Sequence, residues 1–256
     1  MLDLKTIAKR ISVLSSGVEF ARRRYAQLVM GSKPAEDIFR NFFCENKWGG
    51  TESFSGQGSN LSQTVIIRQQ LPALCRELKI RSMLDIPCGD FNWMRQVDLG
   101  TIAYTGADIV SELIAHNNRY ERPNTSFCNL NLLKHKLPKV DLIFCRDCLV
   151  HFSFQDAFTA LRNVCNSDST YLLTTTFASD RRNIDILTGS WHPLNLESPP
   201  FSFPPPLKLI SEGCTQSGGA YSDKSLGLWN IVDIGSRFTK HSELPSRYFT
   251  NNEPLE

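Results

Sequence analysis

Short apolar runs alternate with helical stretches along most of this sequence, and this alternation limits the fold more than any other feature. Apolar runs that predict strands lie at residues 82–86, 102–109, 125–128, 141–145 and 170–177. Apolar residues recur at helical spacing in 61–78, 111–120 and 155–164. Strands that alternate with helices are typical of a parallel sheet with crossover helices. The sequence therefore predicts an α/β fold, a Rossmann-like three-layer sandwich.

The remaining segments flank this fold. Two last apolar runs, 207–210 and 225–233, predict an antiparallel hairpin. With it, the mostly parallel sheet would have seven strands and an antiparallel last strand. Residues 179–206 are rich in Pro and Asn and predict a long loop over one edge of the fold, because proline cannot donate to a central ladder. Helical spacing in 2–30 and 35–45 predicts N-terminal helices.

We divide the chain into three parts on these patterns. Residues 1–60 hold the N-terminal helices and a loop rich in Gly and Ser, and residues 61–240 hold the α/β domain. Residues 241–256 form a C-terminal tail. A length of 256 residues suits one large domain better than two independent ones.

The charge balance gives no sign of a nucleic-acid partner. The 28 basic and 26 acidic residues leave a formal net charge of +2, whereas phosphate binding normally needs a clustered excess of Lys and Arg. The one dense basic run, residues 22–24, is either the solvated face of a helix or a contact with an anionic partner or membrane surface. We expect no nucleic-acid partner, and the sequence leaves the oligomeric state open.

The cysteines and the N-terminus favour a soluble, cytoplasmic protein. Eight cysteines scattered over the chain lack the density of a disulfide-stapled secreted domain. Charged residues interrupt the first 16 residues, so no signal-peptide core is recognisable, and no apolar run is long enough to span a bilayer. Cys145 and Cys148 have no partner pair at zinc spacing, which favours burial over a metal site. We expect no metal.

Acidic residues follow the first two predicted strands. Asp85 ends the first strand, and Gly89 lies in the tight turn that leads into a predicted helix. A glycine turn and a helix N-terminus let backbone amides approach a polar ligand. Asp108 lies nineteen residues beyond Gly89, at the end of the second strand, where a Rossmann-type fold has its acceptor for ribose hydroxyls. Asp85 alone is equally consistent with a cap, but the three residues together predict an adenosine-containing ligand.

The segment Met83-Leu-Asp-Ile-Pro-Cys-Gly-Asp-Phe-Asn-Trp93 resembles the first motif of class I S-adenosylmethionine-dependent methyltransferases. It is most similar to bacterial members in which the turn reads Asp-x-Pro-Cys-Gly-Asp. The matching residues are Asp85, Pro87, Cys88, Gly89 and Asp90. The resemblance covers residues 48–233 and implies a seven-stranded sheet with an antiparallel last hairpin, and S-adenosyl-L-methionine as cofactor. Pro87 and Phe91 replace two glycines of the common Gly-x-Gly-x-Gly pattern, which argues against a dinucleotide dehydrogenase, because its pyrophosphate needs them.

The resemblance implies a role for each matching residue. Asp85 and the Gly89 turn would face the methionine end of the cofactor, and Asp108 would accept hydrogen bonds from both ribose hydroxyls. Ile109 would pack on the adenine. The family often has an Asp where this chain has Asn131, whose carbonyl would accept from the adenine amino group. The other expected cofactor contacts are Pro87, Asp90, Leu132 and Arg146.

Candidate catalytic residues follow the fourth strand, which ends beside the methyl group in this fold. Asp147 would hold the cofactor ammonium. His151 would either take a proton from a substrate hydroxyl or amine, since its unperturbed pKa lies near neutrality, or cap the following helix. His192, in the long loop, is either a second candidate base or plain surface.

Residues 48–59, here called the glycine loop, contain four glycines and three serines and form a candidate lid. Trp48 would stack in the site. One of the serines, Ser53, Ser55 or Ser59, would donate to the cofactor carboxylate or to the substrate. Arg68, on the next helix, is either a clamp for that carboxylate or a partner in a surface salt bridge.

These patterns predict methyl transfer from S-adenosylmethionine to an oxygen or nitrogen of a small-molecule or sugar acceptor by direct displacement. Two other classes stay open: a non-catalytic adenosine-binding or scaffold protein with the same fold, and a different Rossmann enzyme. The second would need phosphate-binding glycines that the turn lacks. Ligand preference separates all three.

Overall fold

Seven strands form one sheet in the computed structural model, which describes residues 33–238. The strands are β1 Ser82–Asp85, β2 Ala103–Asp108, β3 Thr125–Asn129, β4 Leu142–Cys145, β5 Tyr171–Phe177, β6 Lys208–Ser211 and β7 Lys224–Asn230. Their order is β3-β2-β1-β4-β5-β7-β6, and β7 alone runs opposite to the other six strands. The prediction of a mostly parallel, seven-stranded sheet with an antiparallel last strand is confirmed.

Helices cover both faces of this sheet. Within the described residues they are α1 Ala35–Cys44, α2 Val65–Glu77, α3 Ser111–Asn117, α4 Phe154–Cys165 and α5 Ile231–Phe238. Successive residues of a strand point to opposite faces. Leu84 and Ile143 therefore pack with α4 on one face, while Met83 and Leu142 pack with α2 on the other. Helix, sheet and helix make the three layers that the sequence predicted.

The segment between β1 and β2 contains no α-helix, which corrects the helix predicted after the Gly89 turn. Residues 86–102 contain one short 3₁₀ helix, Met94–Gln96. Phe91 has a φ of 58°, and this left-handed conformation is incompatible with a right-handed helix. The Phe91 ring is buried against Tyr104 and Phe127, with centroids 5.4 and 4.9 Å away. These contacts offset the cost of the conformation, about 1 kcal/mol or more.

The last strand is shorter than predicted. β7 ends at Asn230 and α5 begins at Ile231, so the strand predicted to extend to residue 233 is wrong at its end. Ile231 and Ile234 are buried, whereas Val232 is 79% exposed. This spacing of three suits a helix and not a strand.

The long loop, residues 178–207, crosses a face of the sheet and not an edge. Phe201 stacks on Phe158 of α4 with ring centroids 5.2 Å apart, and Phe203 meets Trp229 of β7 at the same distance. Helix α4 lies on a face of the sheet, and β7 is not an edge strand. The predicted position over an edge is therefore wrong.

Several expectations lie outside the described residues. These are the helices at 2–30, the basic run at 22–24 and the tail at 241–256. Within residues 33–238, no helix combines the length and the apolar content needed to cross a bilayer.

Candidate functional site

A cavity of about 610 Å³ opens at the carboxyl ends of β1, β2 and β4. The strand order reverses between β1 and β4, and open α/β sheets bind ligands at such a switch point. The volume lies in the usual range for small-molecule sites. The predicted site residues that line this cavity are Trp48, Ser55, Ser59, Asp85, Pro87, Gly89, Asp108, Ile109, Asn131, Leu132, Arg146, Asp147 and His151.

Asp108 is a buried carboxylate in the cavity wall. One oxygen accepts from the Gly89 amide at 3.1 Å, and the other accepts from the Val110 amide at 2.9 Å. Burial raises the pKa of Asp108 to about 6. A carboxylate offers about four acceptor positions, so Asp108 keeps capacity for hydroxyl donors of a ligand.

Asp85 is also buried, and it has a partner that sequence reasoning missed. The Tyr104 hydroxyl donates to Asp85 Oδ2 at 2.6 Å. Burial raises the pKa of Asp85 to about 7, and the charge of Asp108 adds to this effect. Tyr104 lies beside Met83 in the β1–β2 register, so its hydroxyl reaches Asp85, which is on the same face of β1.

Asn131 lines the cavity and has an unpaired side-chain donor. Its Oδ1 accepts from the Leu133 amide at 2.8 Å, which fixes the orientation of the side-chain amide. Its Nδ2 is buried and has no hydrogen-bond partner. A buried amide without a partner is costly, and a ligand acceptor would satisfy it. Asn131 thus offers a donor where the sequence predicted an acceptor.

The glycine loop is fastened to the turn after β1. Asp90 accepts from the Ser53 hydroxyl at 3.0 Å and from the Phe54 amide at 2.8 Å, while the Asp90 amide donates to Ser55 Oγ at 3.2 Å. Asp90 and Ser53 therefore hold the loop and do not line the cavity, which corrects their predicted ligand contacts. Gly89 has a φ of +55°, and a Cβ there would lie 2.1 Å from Ser55 Oγ. The glycine loop can pack this closely because Gly89 has no side chain.

Replacing Gly89 by alanine is expected to destabilise the protein more than the same change at Gly100. Gly100 has a φ of +57° and no atom within 4 Å of an added Cβ, so Gly100→Ala measures the conformational cost alone, about 1 kcal/mol. Gly89→Ala adds the overlap with Ser55 and should cost a further 1 to 3 kcal/mol, roughly. Urea unfolding of both variants tests this. Equal free energies of unfolding would mean that the loop moves aside freely.

His151 has the geometry of a base. Its Nδ1 lies 2.9 Å from the Ser190 carbonyl, which can only accept, so Nδ1 carries the proton and Nε2 keeps its lone pair. Burial lowers the pKa of His151 below 6.5, so the ring is neutral at pH 7. The ring is in edge contact with Trp48, with centroids 6.1 Å apart.

Two predicted residues lie away from the cavity. His192 is buried, its Nδ1 donates to the Ile184 carbonyl at 2.6 Å, and its Nε2 has no partner. Arg68 donates from Nη2 to the Leu61 carbonyl at 3.0 Å. Neither side chain lines the cavity, so the roles of base and carboxylate clamp predicted for them do not fit this geometry.

Four charged residues, here called the charge cluster, meet below the glycine loop. Arg146 binds Glu212 through two nitrogens, at 3.2 and 2.8 Å. Lys224 Nζ lies 2.6 Å from Asp147 and 3.2 Å from Glu212. Arg146 also donates to the Gly58 carbonyl at 2.9 Å. Although burial opposes ionisation, Lys224 and Arg146 hold the pKa of Asp147 well below its usual range.

The charge cluster includes two residues that the sequence did not single out. Glu212 follows β6 and Lys224 begins β7, and both side chains are almost fully buried. Their only signal in the sequence is a charge beside each strand of the predicted hairpin. Asp147, expected to hold a cofactor ammonium, lines the cavity and is paired with Lys224. Cys145 and Cys148 are free, buried thiols.

Comparison with solved structures identifies the fold. The N-methyltransferase NodS from Bradyrhizobium japonicum WM9 matches 68% of this chain and 98% of its own length, at 16% identity and a TM-score of 0.50. The chain has the methyltransferase fold. Magnesium protoporphyrin IX methyltransferase from Synechocystis PCC 6803, with bound S-adenosylmethionine, matches 60% of this chain and 81% of its own at 14% identity and a TM-score of 0.43.

The likeness is one of structure and not of sequence. No protein-family model matches the chain, and no curated protein sequence matches it. A third solved structure, that of a protein from Galdieria sulphuraria, is matched over 44% of its own length.

Proposed function

We propose that this protein is a methyltransferase that uses S-adenosylmethionine and methylates an oxygen or nitrogen of a small-molecule or sugar acceptor. One observation carries the proposal. On a methyltransferase fold, two buried polar residues line the same switch-point cavity: Asp108, a carboxylate, and Asn131, whose side-chain Nδ2 has no hydrogen-bond partner. Together they match the hydrogen-bonding groups of an adenosine.

The residues at this end of the cavity fit the cofactor. Asp108 would accept hydrogen bonds from the ribose hydroxyls, and Asn131 Nδ2 would donate to a ring nitrogen of the adenine. Ile109 and Leu132 supply apolar wall for the adenine faces. When bound, S-adenosylmethionine supplies a methyl group on a positively charged sulfur, which is already activated. The protein therefore mainly orients the acceptor and moves its proton.

Calorimetric titration with S-adenosylmethionine, S-adenosylhomocysteine and NAD tests the cofactor assignment. Binding of the two sulfur ligands and not of NAD would support it, and transfer of a labelled methyl group to an acceptor panel would establish the activity. Binding of NAD alone would overturn the proposal. Tight binding of S-adenosylhomocysteine with no transfer to any acceptor would favour the non-catalytic alternative.

Within this proposal His151 accepts the acceptor proton at Nε2. His151→Gln is expected to lower kcat by about 100-fold or more and to leave the affinity for S-adenosylhomocysteine unchanged. Because burial lowers the pKa of His151, the wild-type rate should be level above pH 6.5 and fall as pH decreases through the lowered pKa. The variant should lack this step.

His116→Gln provides the matched control for that measurement. His116 lies on α3, away from the cavity, so its variant should keep the wild-type rate and pH profile. A wild-type rate and profile in His151→Gln would leave His151 with a structural role only.

A further inference from the structure

An aromatic wall lines the cavity on the side of β5 and β7. Trp191 and Tyr221 meet with ring centroids 4.8 Å apart, and Phe177, the last residue of β5, lies 6.0 Å from each. Trp191 remains 41% exposed. An indole left partly uncovered on a cavity wall has surface that a ligand can cover.

The backbone holds Trp191 beside the candidate base. The Gly189 amide donates to the His151 carbonyl at 2.8 Å, and the His192 amide donates to the Val150 carbonyl at 3.0 Å. Between them, the Ser190 carbonyl accepts from His151 Nδ1. Three hydrogen bonds therefore fix the residues on either side of Trp191 to the short 3₁₀ helix Leu149–His151. A ring packed on Trp191 would lie next to His151.

Hydrogen-bond donors and acceptors surround Gly58, and one of the donors, Lys224, is paired with Phe177 of the aromatic wall in the β5–β7 register. A Cβ on Gly58 would lie 3.6 Å from Asp147 Oδ2, 3.6 Å from Gln216 Oε1 and 3.9 Å from Lys224 Nζ. Lys224 has three N–H donors and contacts two carboxylates. A hydroxyl or amino group can donate to Asp147 or Gln216, and a hydroxyl can accept from Lys224.

The charge cluster determines which acceptors this part of the cavity favours. The charge cluster contains two cations, Arg146 and Lys224, and two anions, Asp147 and Glu212, and each is paired with an opposite charge. The net charge is zero, so a phosphate or carboxylate gains no net attraction and would have to displace an existing ion pair. A neutral hydroxyl needs no such exchange.

We propose that the aromatic wall and these polar groups form the acceptor subsite, and that the acceptor is a sugar or amino sugar without an anionic group. A sugar ring combines an apolar C–H face, which packs on the electron-rich face of an indole, with hydroxyl groups on its edge. The C–H face of the sugar packs on Trp191. The hydroxyl groups on its edge form hydrogen bonds with Asp147, Lys224 and Gln216. This inference rests on the proposed function, since it assigns the acceptor of that reaction.

Ligand-observed NMR on the protein saturated with S-adenosylhomocysteine tests the subsite. The probes are neutral sugars and amino sugars of one to four units, with glucose 6-phosphate and catechol as the anionic and aromatic comparisons. We expect saturation transfer to the ring C–H protons of at least one neutral or amino sugar. Trp191→Ala should reduce it by about five-fold or more, and Trp191→Phe by less. Leu209→Ala, an exposed apolar change on β6, should not alter it.

Titration of S-adenosylhomocysteine separates the two proposals. Each variant should bind it within about two-fold of wild type, because Trp191 lies away from Asp108 and Asn131. If the wild type binds S-adenosylhomocysteine, three results overturn the sugar subsite: no transfer to any sugar, stronger transfer to glucose 6-phosphate or catechol, or a sugar signal that survives Trp191→Ala. If the wild type does not bind it, the proposed function fails, and this inference fails with it.

Discussion

Asp108→Ala is expected to weaken the binding of S-adenosylhomocysteine by at least about 100-fold. A hydrogen bond to a charged group contributes about 1.5 to 3 kcal/mol, and Asp108 would accept two from the ribose. A loss of about 2.7 kcal/mol already corresponds to 100-fold in affinity. The substitution also leaves the Gly89 and Val110 amides without their acceptor. Calorimetric titration measures the affinity.

Asp108→Asn is the matched variant for this prediction. It keeps the volume of the side chain but replaces one carboxylate oxygen by a donor, which then faces the Gly89 or the Val110 amide. We expect a smaller loss than in the alanine variant. Thermal unfolding of each variant without ligand shows whether the fold persists. A folded Asp108→Ala protein that binds within three-fold of wild type would remove Asp108 from the cofactor site.

Arg146→Met is expected to lower the free energy of unfolding by about 3 to 5 kcal/mol, because removal of one partner leaves a buried charge uncompensated. Glu212 would keep only Lys224, which it must share with Asp147. The side chains of Arg146 and Glu212 are 5% and 2% exposed, so water cannot replace the lost partner. Urea unfolding measures the change.

The double variant Arg146→Met/Glu212→Gln tests the cause of that loss. It removes one cation and one anion, leaves Lys224 paired with Asp147, and should recover most of the lost stability. The surface pair Lys208–Glu77, with 40% and 59% exposure, is the control. Lys208→Met should cost about 1 kcal/mol at most. A double variant as unstable as Arg146→Met would attribute the loss to packing and not to charge.

The sequence predicted the sheet because its signal is local. Each strand was predicted from a short apolar run, and in β1, β4, β5 and β7 residues of both faces are buried, so the run is visible without knowledge of any neighbour. The acidic residues at the ends of β1 and β2 were recognised for the same reason. Asp85 and Asp108 are the last residues of their strands, and parallel strands bring those ends to one edge of the sheet.

The remaining features depend on contacts between distant residues. Tyr104 binds Asp85 through the strand register, and Glu212 meets Arg146 across 66 residues. Phe91 takes a left-handed conformation because of the rings around it, and no local pattern predicts this. The orientation of the Asn131 amide is set by the Leu133 amide. His192 was a second candidate base, but its ring turns into the loop and its Nδ1 donates to the Ile184 carbonyl.

The loop between β5 and β6 serves as part of the core. Leu194, Leu196, Phe201 and Phe203 are 0 to 4% exposed, and the Asn183 side chain donates to the Asn195 and Pro199 carbonyls. Surface loops usually accept insertions and can be exchanged between relatives, but a segment whose side chains are part of the core does not have that freedom. Grafting a new loop here would remove buried side chains of the core, so it is not a route to a new ligand preference. Such a change would have to come from single side chains on a fixed frame, with Trp191 the first to vary.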